Sequence, residues 1–265
     1  MKSSKYDLLK PIKNPNLIRL GRNLDGGYIV DSKVVKKCNT LITFGLGPDW
    51  SFELDYIKMN NNIEIFMYDY TVSSFPYIKD ILKYLKRFVT FRSNLESVTS
   101  RVSYLKKYKD FLGLKNVNFF KEKITYPIKN KIDTDINKVF SRINDKEEVI
   151  LKSDIEGSEY EVIDEIMKFS NRINMLIFEF HWIDVNEEIF LESVRKLKKD
   201  FEIIHIHGNN HFPKLDSGLP IIIEMTLLNK KYIGNEKTEH ICKFPIQGLD
   251  YPNNPYKEDL TFSFE

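Results

Sequence analysis

The feature that most constrains this fold is a regular alternation of short, β-rich apolar runs with segments whose apolar residues recur at helical spacing. Such an alternation predicts βαβ units and a largely parallel sheet, and near-continuous apolar strands suit a sheet that is covered on both faces. Seven segments are predicted as strands, at 40–44, 63–68, 117–120, 149–154, 175–180, 201–206 and 221–228. We therefore expect an α/β fold with a doubly wound, mostly parallel, seven-stranded sheet.

The length of 265 residues fits one α/β domain, which we expect to span 1–265. Within it we predict an N-terminal extension at 1–39 and a core at 40–228. The segment 229–265 holds three prolines and is expected to form an arm or lid rather than a regular element.

Two details of the helical segments are predicted more closely. The Lys- and Tyr-rich stretch 74–115 is longer than one crossover needs and is expected to be helical. Its core-facing side chains are expected to be Ile81, Leu82, Leu85 and Phe88. Ser158 and Glu161 have the spacing of a capping box, which predicts the start of a helix at that point.

Composition excludes several classes of protein. The formal net charge is +2, whereas a duplex-binding protein usually shows a stronger basic excess, so we do not favour a nucleic-acid partner. Cys38 and Cys242 form no CxxC pattern and are expected to be reduced, buried thiols. We find neither a secretion signal nor an apolar run of the ~18 residues that a membrane span requires, and we expect a cytoplasmic protein. The oligomeric state is left open.

A ligand site is predicted where the first two strands end, because open α/β sheets bind ligands beyond the carboxyl ends of their strands. Gly45 and Gly47 allow a tight turn there and let a ligand approach the backbone closely. Asp69 ends the second strand and is suited to accept hydrogen bonds from a ribose diol. Glu122, just beyond the third strand, is expected beside an adenine. The plainer alternative is a strand-to-helix turn with an Asp capping the next loop.

The pattern departs from that of a dinucleotide site. The third glycine of G-x-G-x-x-G is missing, and Pro48 removes one N–H donor from the turn. These two differences favour a ligand with an adenosine group but no pyrophosphate.

Several blocks of this chain resemble the S-adenosylmethionine-dependent methyltransferases of the FkbM-like group. The matching positions are 19–30 (RLGRNLDGGYIV), 45–49 (GLGPD), Asp69, 151–159 (LKSDIEGSE) and 178–181 (FEFH). The resemblance extends from about residue 18 to about residue 228. It implies a Rossmann-like class I methyltransferase fold whose last strand is antiparallel, S-adenosylmethionine as cofactor, and a small-molecule or glycan hydroxyl as acceptor.

The acceptor side is predicted from acids and imidazoles at the ends of the fourth, fifth and sixth strands. A hydroxyl acceptor is protonated at neutral pH, so a base or a metal must help to remove its proton. We expect Asp154, His181 and His207 to be catalytic, with Asp154 also able to contact the methionine ammonium group, and His205 to be a core histidine. The residues expected to bind substrate are Asp25, Tyr28, Glu156, Glu179, Asn209 and Asn210.

Two further roles are left open at this point. Glu156 could instead interact with the dipole of the following helix. Asp154, Glu179 and His181 could hold magnesium or manganese, so a divalent cation is possible, although no metal site is assigned.

The function predicted from the sequence is O-methylation of a sugar, glycan or nucleotide-sugar hydroxyl. One alternative is an RNA or protein methyltransferase, since the cations and aromatic residues of 79–109 are of the kind that single strands use. The other alternative is a non-catalytic binding module on the same fold.

Overall fold

The computed structural model describes residues 4–73, 75–234 and 239–264. Its strands are β1 (Leu17–Leu20), β2 (Tyr28–Asp31), β3 (Thr40–Phe44), β4 (Glu64–Tyr68), β5 (Val117–Phe120), β6 (Lys123–Ile124), β7 (Asp133–Thr134), β8 (Val149–Ser153), β9 (Ile173–Phe180), β10 (Phe201–Gly208), β11 (Ile223–Asn229), β12 (Lys243–Phe244) and β13 (Phe262–Ser263). Its α-helices are α1 (Ser32–Lys37), α2 (Ser51–Met59), α3 (Phe75–Val89), α4 (Leu95–Leu112), α5 (Ile136–Ser141), α6 (Glu159–Met167) and α7 (Ile183–Leu197). Short 3-10 helices cover Ser4–Leu9 and Lys230–Tyr232.

Seven strands form the central sheet, in the order β10-β11-β9-β8-β3-β4-β5. All neighbouring pairs are parallel except those of β11, which is antiparallel to both β9 and β10. The predicted Rossmann-like, doubly wound, mostly parallel sheet is thus confirmed. The strand order reverses between β3 and β8, and this switch point is where ligands bind in open α/β sheets.

Hydrophobic layers cover both faces of the sheet, because successive strand residues point to opposite sides. Leu41 packs in the layer formed with α1, α2 and α4, whereas its neighbour Ile42 packs in the layer formed with α5, α6 and α7. Ile150 and Leu151 divide between the two layers in the same way. The sheet is therefore sandwiched, as the near-continuous apolar strands predict.

The helices α3 and α4 form a hairpin on the outside of the sandwich. Both are helical as predicted, but the expected core face on α3 is wrong. Leu82 is 60% exposed and Leu85 44%, while Ile81 is only half-buried and Phe88 is exposed. The reason is the order of packing: α4 lies against β5, and α3 lies against α4. The apolar stripe of α3 therefore never reaches the sheet.

The terminal segments are tied to the sheet by hydrogen bonds. The β1–β2 hairpin is fastened to β11 by the Thr226 hydroxyl, which donates to the carbonyl of Ile29. The strands β12 and β13 pair with each other near the end of the chain. Among the described residues, no helix combines the length and the apolar character that crossing a bilayer would require. The division into extension, core and arm stays a prediction. Cys38 is buried as expected, whereas Cys242 is exposed, so the expectation of a buried thiol is wrong at that position.

Candidate functional site

Three adjoining cavities open at the carboxyl end of the sheet, and Asp154 and Glu156 line all of them. The glycine cavity, about 230 Å³, is lined by the turn after β3, by Tyr28 and by Lys152. The tyrosine cavity, about 320 Å³, is lined by Tyr68, Tyr70 and Glu122 among others. The histidine cavity, about 260 Å³, is lined on its other sides by Asp25, Glu179, His181, Trp182, Asn209 and Phe212. Together they form one cleft at the switch point of the sheet.

The turn after β3 needs its glycines for different reasons. Gly45 has φ +75°, and a Cβ atom there would lie 1.7 Å from the carbonyl oxygen of Asp154. Only glycine therefore lets the ends of β3 and β8 approach this closely. Gly47 has φ +60°, but a Cβ atom would meet nothing within 4 Å. Its constraint is conformational, and the space beside it belongs to the glycine cavity.

Asp69 lies beside this turn, and its carboxylate is already engaged by the protein. One oxygen accepts from the backbone N–H groups of Leu46 and Gly47, each at 3.0 Å, and the other accepts from Thr71 and Val72. Burial would raise the pKa of Asp69, but these hydrogen bonds hold it below its usual value. Asp69 thus shapes the turn. Its contact with a ribose stays a prediction, and the ribose hydroxyls would have to bind carboxylate oxygens that already accept from the protein.

Glu122 lines the tyrosine cavity, where the sequence predicts an adenine contact. Arg142 binds both of its oxygens, at 2.9 and 2.8 Å, and Lys138 lies 3.3 Å away. The hydrogen bonds from Arg142 lower the pKa of Glu122 to about 2. The carboxylate is therefore ionised and paired, and any adenine would meet an acid that is already occupied.

Lys152 is a site residue that sequence reasoning missed. It lies on the central strand β8, is 5% exposed and lines the glycine cavity. Its ammonium nitrogen lies 4.9 Å from the ring centroid of Tyr28, and no carboxylate of the described residues is within ion-pair distance. The sequence does contain a signal for it, namely a lysine inside an apolar central strand, because buried lysines are rare unless they are paired. It offers a positive charge for an anionic ligand group.

Asp154 and His181 meet at the centre of the cleft. Their Oδ1 and Nε2 atoms are 3.8 Å apart, and Glu156 places a carboxylate oxygen 3.6 Å from the same nitrogen. Burial raises the pKa of Asp154 to about 6. Burial by itself would lower the pKa of His181, but Glu159 and the surrounding acids raise it to about 9. At neutral pH the pair is therefore a carboxylate beside an imidazolium.

Glu159 is the second residue that the sequence analysis missed. Its side chain is fully buried; it accepts from the N–H groups of Ile155 and Gly157, both at 2.8 Å, and lies 3.2 Å from His181 Nδ1. The predicted capping box is wrong, because the Ser158 side chain makes no capping hydrogen bond at the start of α6. Glu159 instead accepts from the turn before the helix and orients the imidazole.

The expected substrate residues Tyr28, Glu179, Asn209 and Asp25 lie together on the far side of Asp154. The Tyr28 hydroxyl is 3.1 Å from both Asp154 Oδ2 and Glu179 Oε2. The Asn209 amide donates to the other oxygen of Glu179 at 2.8 Å. Burial, with Asp154 and Glu224 nearby, raises the pKa of Glu179 well above its ordinary value. These side chains form a polar wall of hydroxyl, carboxyl and amide groups.

His207 does not fit the catalytic role that the sequence predicts. It is fully buried and lies outside the three cavities. Its Nδ1 is 3.1 Å from Glu224 Oε2, and its Nε2 is 3.1 Å from Asp259 Oδ1. Both ring nitrogens are thus used within the protein, and His207 instead holds the C-terminal arm against β11. His205 is a buried core histidine, as expected, with Nε2 2.9 Å from Asp250 Oδ1.

Asn210 also serves the arm rather than a substrate. Its amide nitrogen lies within hydrogen-bond distance of three carbonyl oxygens of the segment 254–258, and its oxygen accepts from the N–H of Asn254. The neighbouring Asn253 donates to Glu224 at 2.6 Å and to Asp25 at 3.3 Å. The arm therefore supports the wall of the histidine cavity from behind.

The possible metal ligands divide into two groups. Asp154 and His181 cluster with Glu159, whereas Glu179 clusters with Asp25 and Glu224. The set Asp154, Glu179 and His181 considered from the sequence is thus split between them. Oxygen and imidazole ligands of this kind suit magnesium or manganese, and the need for a cation stays a prediction.

No protein-family model matches the chain, and no curated protein matches it in sequence. Solved structures with a similar fold include the fibrillarin/Nop5p complex, at 11% identity and a TM-score of 0.39, covering 72% of each chain. They also include a dimethyladenosine transferase from Plasmodium falciparum (9%, TM-score 0.39, covering 85% of this chain and 66% of that one) and a precorrin-6y C5,15-methyltransferase from Geobacter metallireducens (10%, TM-score 0.35, covering 75% and 88%).

Proposed function

We propose that this protein is an S-adenosylmethionine-dependent O-methyltransferase acting on a hydroxyl of a sugar or glycan, including nucleotide sugars. The observation that carries the proposal is the position of Asp154. It stands where the three cavities join at the switch point of the sheet, beside His181 and between the glycine turn and the polar wall. A base at such a junction can reach an acceptor on one side and a bound methyl donor on the other.

The cofactor side of the cleft supports this donor. The glycine cavity combines open space beside Gly47 with the buried ammonium group of Lys152, which forms no ion pair within the described part of the chain and suits the carboxylate of a methionine group. Asp154 is close enough to the same cavity to accept from a methionine ammonium group. The tyrosine cavity, next to Asp69, has room and aromatic walls for an adenosine group.

The chemistry of the step then falls to Asp154 and its neighbours. When bound, S-adenosylmethionine supplies an electrophilic methyl group, whose transfer to the acceptor oxygen breaks the carbon–sulfur bond and leaves S-adenosylhomocysteine. Tyr28 holds one oxygen of Asp154, so the other is available to take the acceptor's proton as the oxygen attacks. The ammonium group of Lys152 and the imidazolium of His181, which Glu159 orients, oppose the effect of burial on the pKa of Asp154 and keep the carboxylate ionised at neutral pH.

The acceptor class follows from the walls of the histidine cavity. Glu179, Asn209 and Asp25 offer paired donors and acceptors, which suit neighbouring hydroxyl groups. Trp182 and Phe212, with ring centroids 5.4 Å apart, add an apolar wall that is partly exposed. A sugar ring presents both kinds of surface, since it has hydroxyls at its rim and C–H groups on its faces.

The test is transfer of a labelled methyl group from S-adenosylmethionine to a panel of nucleotide sugars, with and without a chelator. We expect label in at least one sugar. Measured at saturating S-adenosylmethionine, Asp154→Asn should lower turnover by roughly a hundredfold or more. Asp164→Asn is the matched control, because this exposed acid on α6 pairs with Lys196 and lies outside the cleft.

Three results would contradict the proposal in different ways. If calorimetry on a folded sample detects binding of neither S-adenosylmethionine nor its demethylated product, the cofactor assignment is refuted. Label found in RNA or protein but in no sugar refutes the acceptor class. Cofactor binding without turnover on any acceptor would favour a binding module.

A further inference from the structure

Charge is distributed unevenly between the α3–α4 hairpin and the rest of the protein. Residues 75–115 contain ten Lys or Arg and three Asp or Glu, a net charge of +7. The other residues contain 30 Lys or Arg and 35 Asp or Glu, a net charge of −5. The formal net charge of the whole protein is close to zero because a strongly basic hairpin is combined with an acidic remainder.

An exposed apolar stripe runs along the outer side of this hairpin. Ile78, Leu82, Leu85 and Val89 are spaced so that they share one face of α3, and their exposed fractions are 42, 60, 44 and 68%. Phe91, in the connection to α4, is 98% exposed. Soluble proteins seldom leave such a contiguous stripe uncovered unless it binds something.

The inner side of α3 is already satisfied. Asp80 pairs with Arg101 of α4 at 2.7 Å, and the same guanidinium lies 3.2 Å from the ring centroid of Tyr84. Tyr77 packs against Tyr104 and Tyr108. The polar and aromatic contacts of α3 thus face α4, and the four aliphatic side chains of the stripe face outward.

Exposed lysines flank the stripe. Lys79, Lys83 and Lys86 each follow one stripe residue by one position, which places them along one border of the apolar face. A helix with a well-separated apolar face and a basic border, in a protein with no spanning helix among its described residues, has the features of helices that lie in a membrane interface.

We propose that the α3–α4 hairpin docks the protein on the surface of a bilayer that contains anionic lipid. The aliphatic stripe enters the boundary between headgroups and acyl chains, and the lysine border pairs with lipid phosphate and carboxylate groups. The acidic remainder of the protein is repelled by such a surface, so charge complementarity orients the hairpin toward it.

Two other occupants fit the observations less well. Single-stranded nucleic acid stacks its bases on several exposed aromatic rings among cations. Phe88 and Phe91 are exposed here, but the row from Ile78 to Val89 is aliphatic at its four most regularly spaced positions, and Tyr77 and Tyr84 pack against α4. A second copy of the chain would bring two surfaces of net charge +7 together, which costs free energy through like-charge repulsion.

The hairpin is also joined to the candidate active site. Tyr104 donates a hydrogen bond to the carbonyl of Pro48 in the glycine turn, and Trp50 stacks on Phe111 with ring centroids 5.8 Å apart. A docked hairpin therefore holds the cleft close to the membrane surface.

The test is flotation of the full chain with vesicles of phosphatidylcholine alone or with phosphatidylserine at roughly 30% of the lipid, at about 0.15 M and about 1 M salt. We expect binding only to the anionic vesicles and loss of much of it at high salt. Leu82→Asp with Leu85→Asp should weaken binding by roughly tenfold or more. Each Lys79→Glu or Lys83→Glu change should weaken it by about fivefold or more.

The matched control is Val185→Asp with Ile189→Asp, which changes two exposed aliphatic residues of α7 (76 and 53% exposed) on another surface. This control should bind like the unchanged chain. The proposal is overturned if the folded protein does not bind anionic vesicles, or if the control variant loses as much binding as the α3 variant does. It is also overturned if the Leu82 and Leu85 changes leave vesicle binding intact and instead abolish binding to single-stranded RNA or self-association.

Discussion

The replacement of Glu159 by Gln should remove a pH-dependent part of the protein's stability. The pKa of His181 stands at about 9 in the folded protein against an ordinary value of 6.5. Because the folded value is the higher one, the imidazolium stabilises the fold fully below about pH 6.5. This contribution is lost as the pH rises through about 9. The difference corresponds to about 3 kcal/mol in the free energy of unfolding.

Glu159 is the main source of this stabilisation, through its hydrogen bond at 3.2 Å and its charge. In Glu159→Gln the hydrogen bond is no longer charge-assisted, so the pKa of His181 should fall back toward 6.5. Between pH 6.5 and pH 9 the free energy of unfolding should fall in both proteins. We expect the decrease in the variant to be smaller than that in the unchanged chain by roughly 2 kcal/mol. His207, whose pKa its pairing with Asp259 and Glu224 raises to about 10, titrates in both proteins and cancels in the comparison.

The assay is urea unfolding at a series of pH values, together with an NMR titration of the imidazole signals. Glu165→Gln is the control, since Glu165 is a buried acid of the same helix that pairs with Lys168 instead of His181. It should change stability without changing its pH dependence in this range. An His181 signal that titrates at the same pH in the Glu159→Gln variant and in the unchanged chain would refute the reasoning.

Three further predictions concern other parts of the cleft. Lys152→Met should weaken S-adenosylmethionine binding by about tenfold or more in calorimetry, because a buried anionic group loses its partner, while Lys168→Met should not; equal affinities would count against the carboxylate assignment. Gly45→Ala should lower the free energy of unfolding by about 3 kcal/mol or more, since its Cβ atom clashes with backbone, and Gly47→Ala should cost about 1–2 kcal/mol; denaturant curves in the reverse order would contradict this. His207→Gln should destabilise the fold by about 3 kcal/mol but leave the pH profile of turnover unchanged, whereas a shifted profile would return His207 to the catalytic group.

The sheet could be predicted from the sequence because its strands are buried on both faces. A strand such as 149–153 must be apolar at nearly every position, and the runs between strands must then be helical to return the chain. The bounds of the strands were predicted less well. The start of β9 at Ile173 was missed because the polar Asn174 interrupts its apolar run, and β10 continues through the polar His207 and the small Gly208 beyond the predicted end.

The stripe on α3 could not be placed in the same way. Amphipathic spacing shows that a helix has one apolar face, but it does not show what covers that face. Here α4 comes between α3 and β5, and α4 takes the place in the core that the sequence assigns to Leu82 and Leu85.

The sequence predicts which strand ends carry the site residues, but it does not predict which charged groups those residues contact. Strand alternation places His207 on one side of β10, yet the acid that fills its Nε2 position comes from the arm, 52 residues farther along the chain. Lys152 and Glu159 were missed because each is a buried charge inside a segment that otherwise reads as strand or helix. Only the assembled fold shows which charges such residues face.

The amide of Asn253 joins Asp25, from the loop between β1 and β2, to Glu224 on β11. The histidine cavity, which would receive an acceptor, is lined mainly by residues at and beyond the ends of β8, β9 and β10, and the arm supports it from behind. The loop between β1 and β2 lines both this cavity and the glycine cavity, which would receive a methyl donor. Changes in the arm alone can accordingly shift the acceptor side, because no described residue of the arm lines the glycine cavity or the tyrosine cavity.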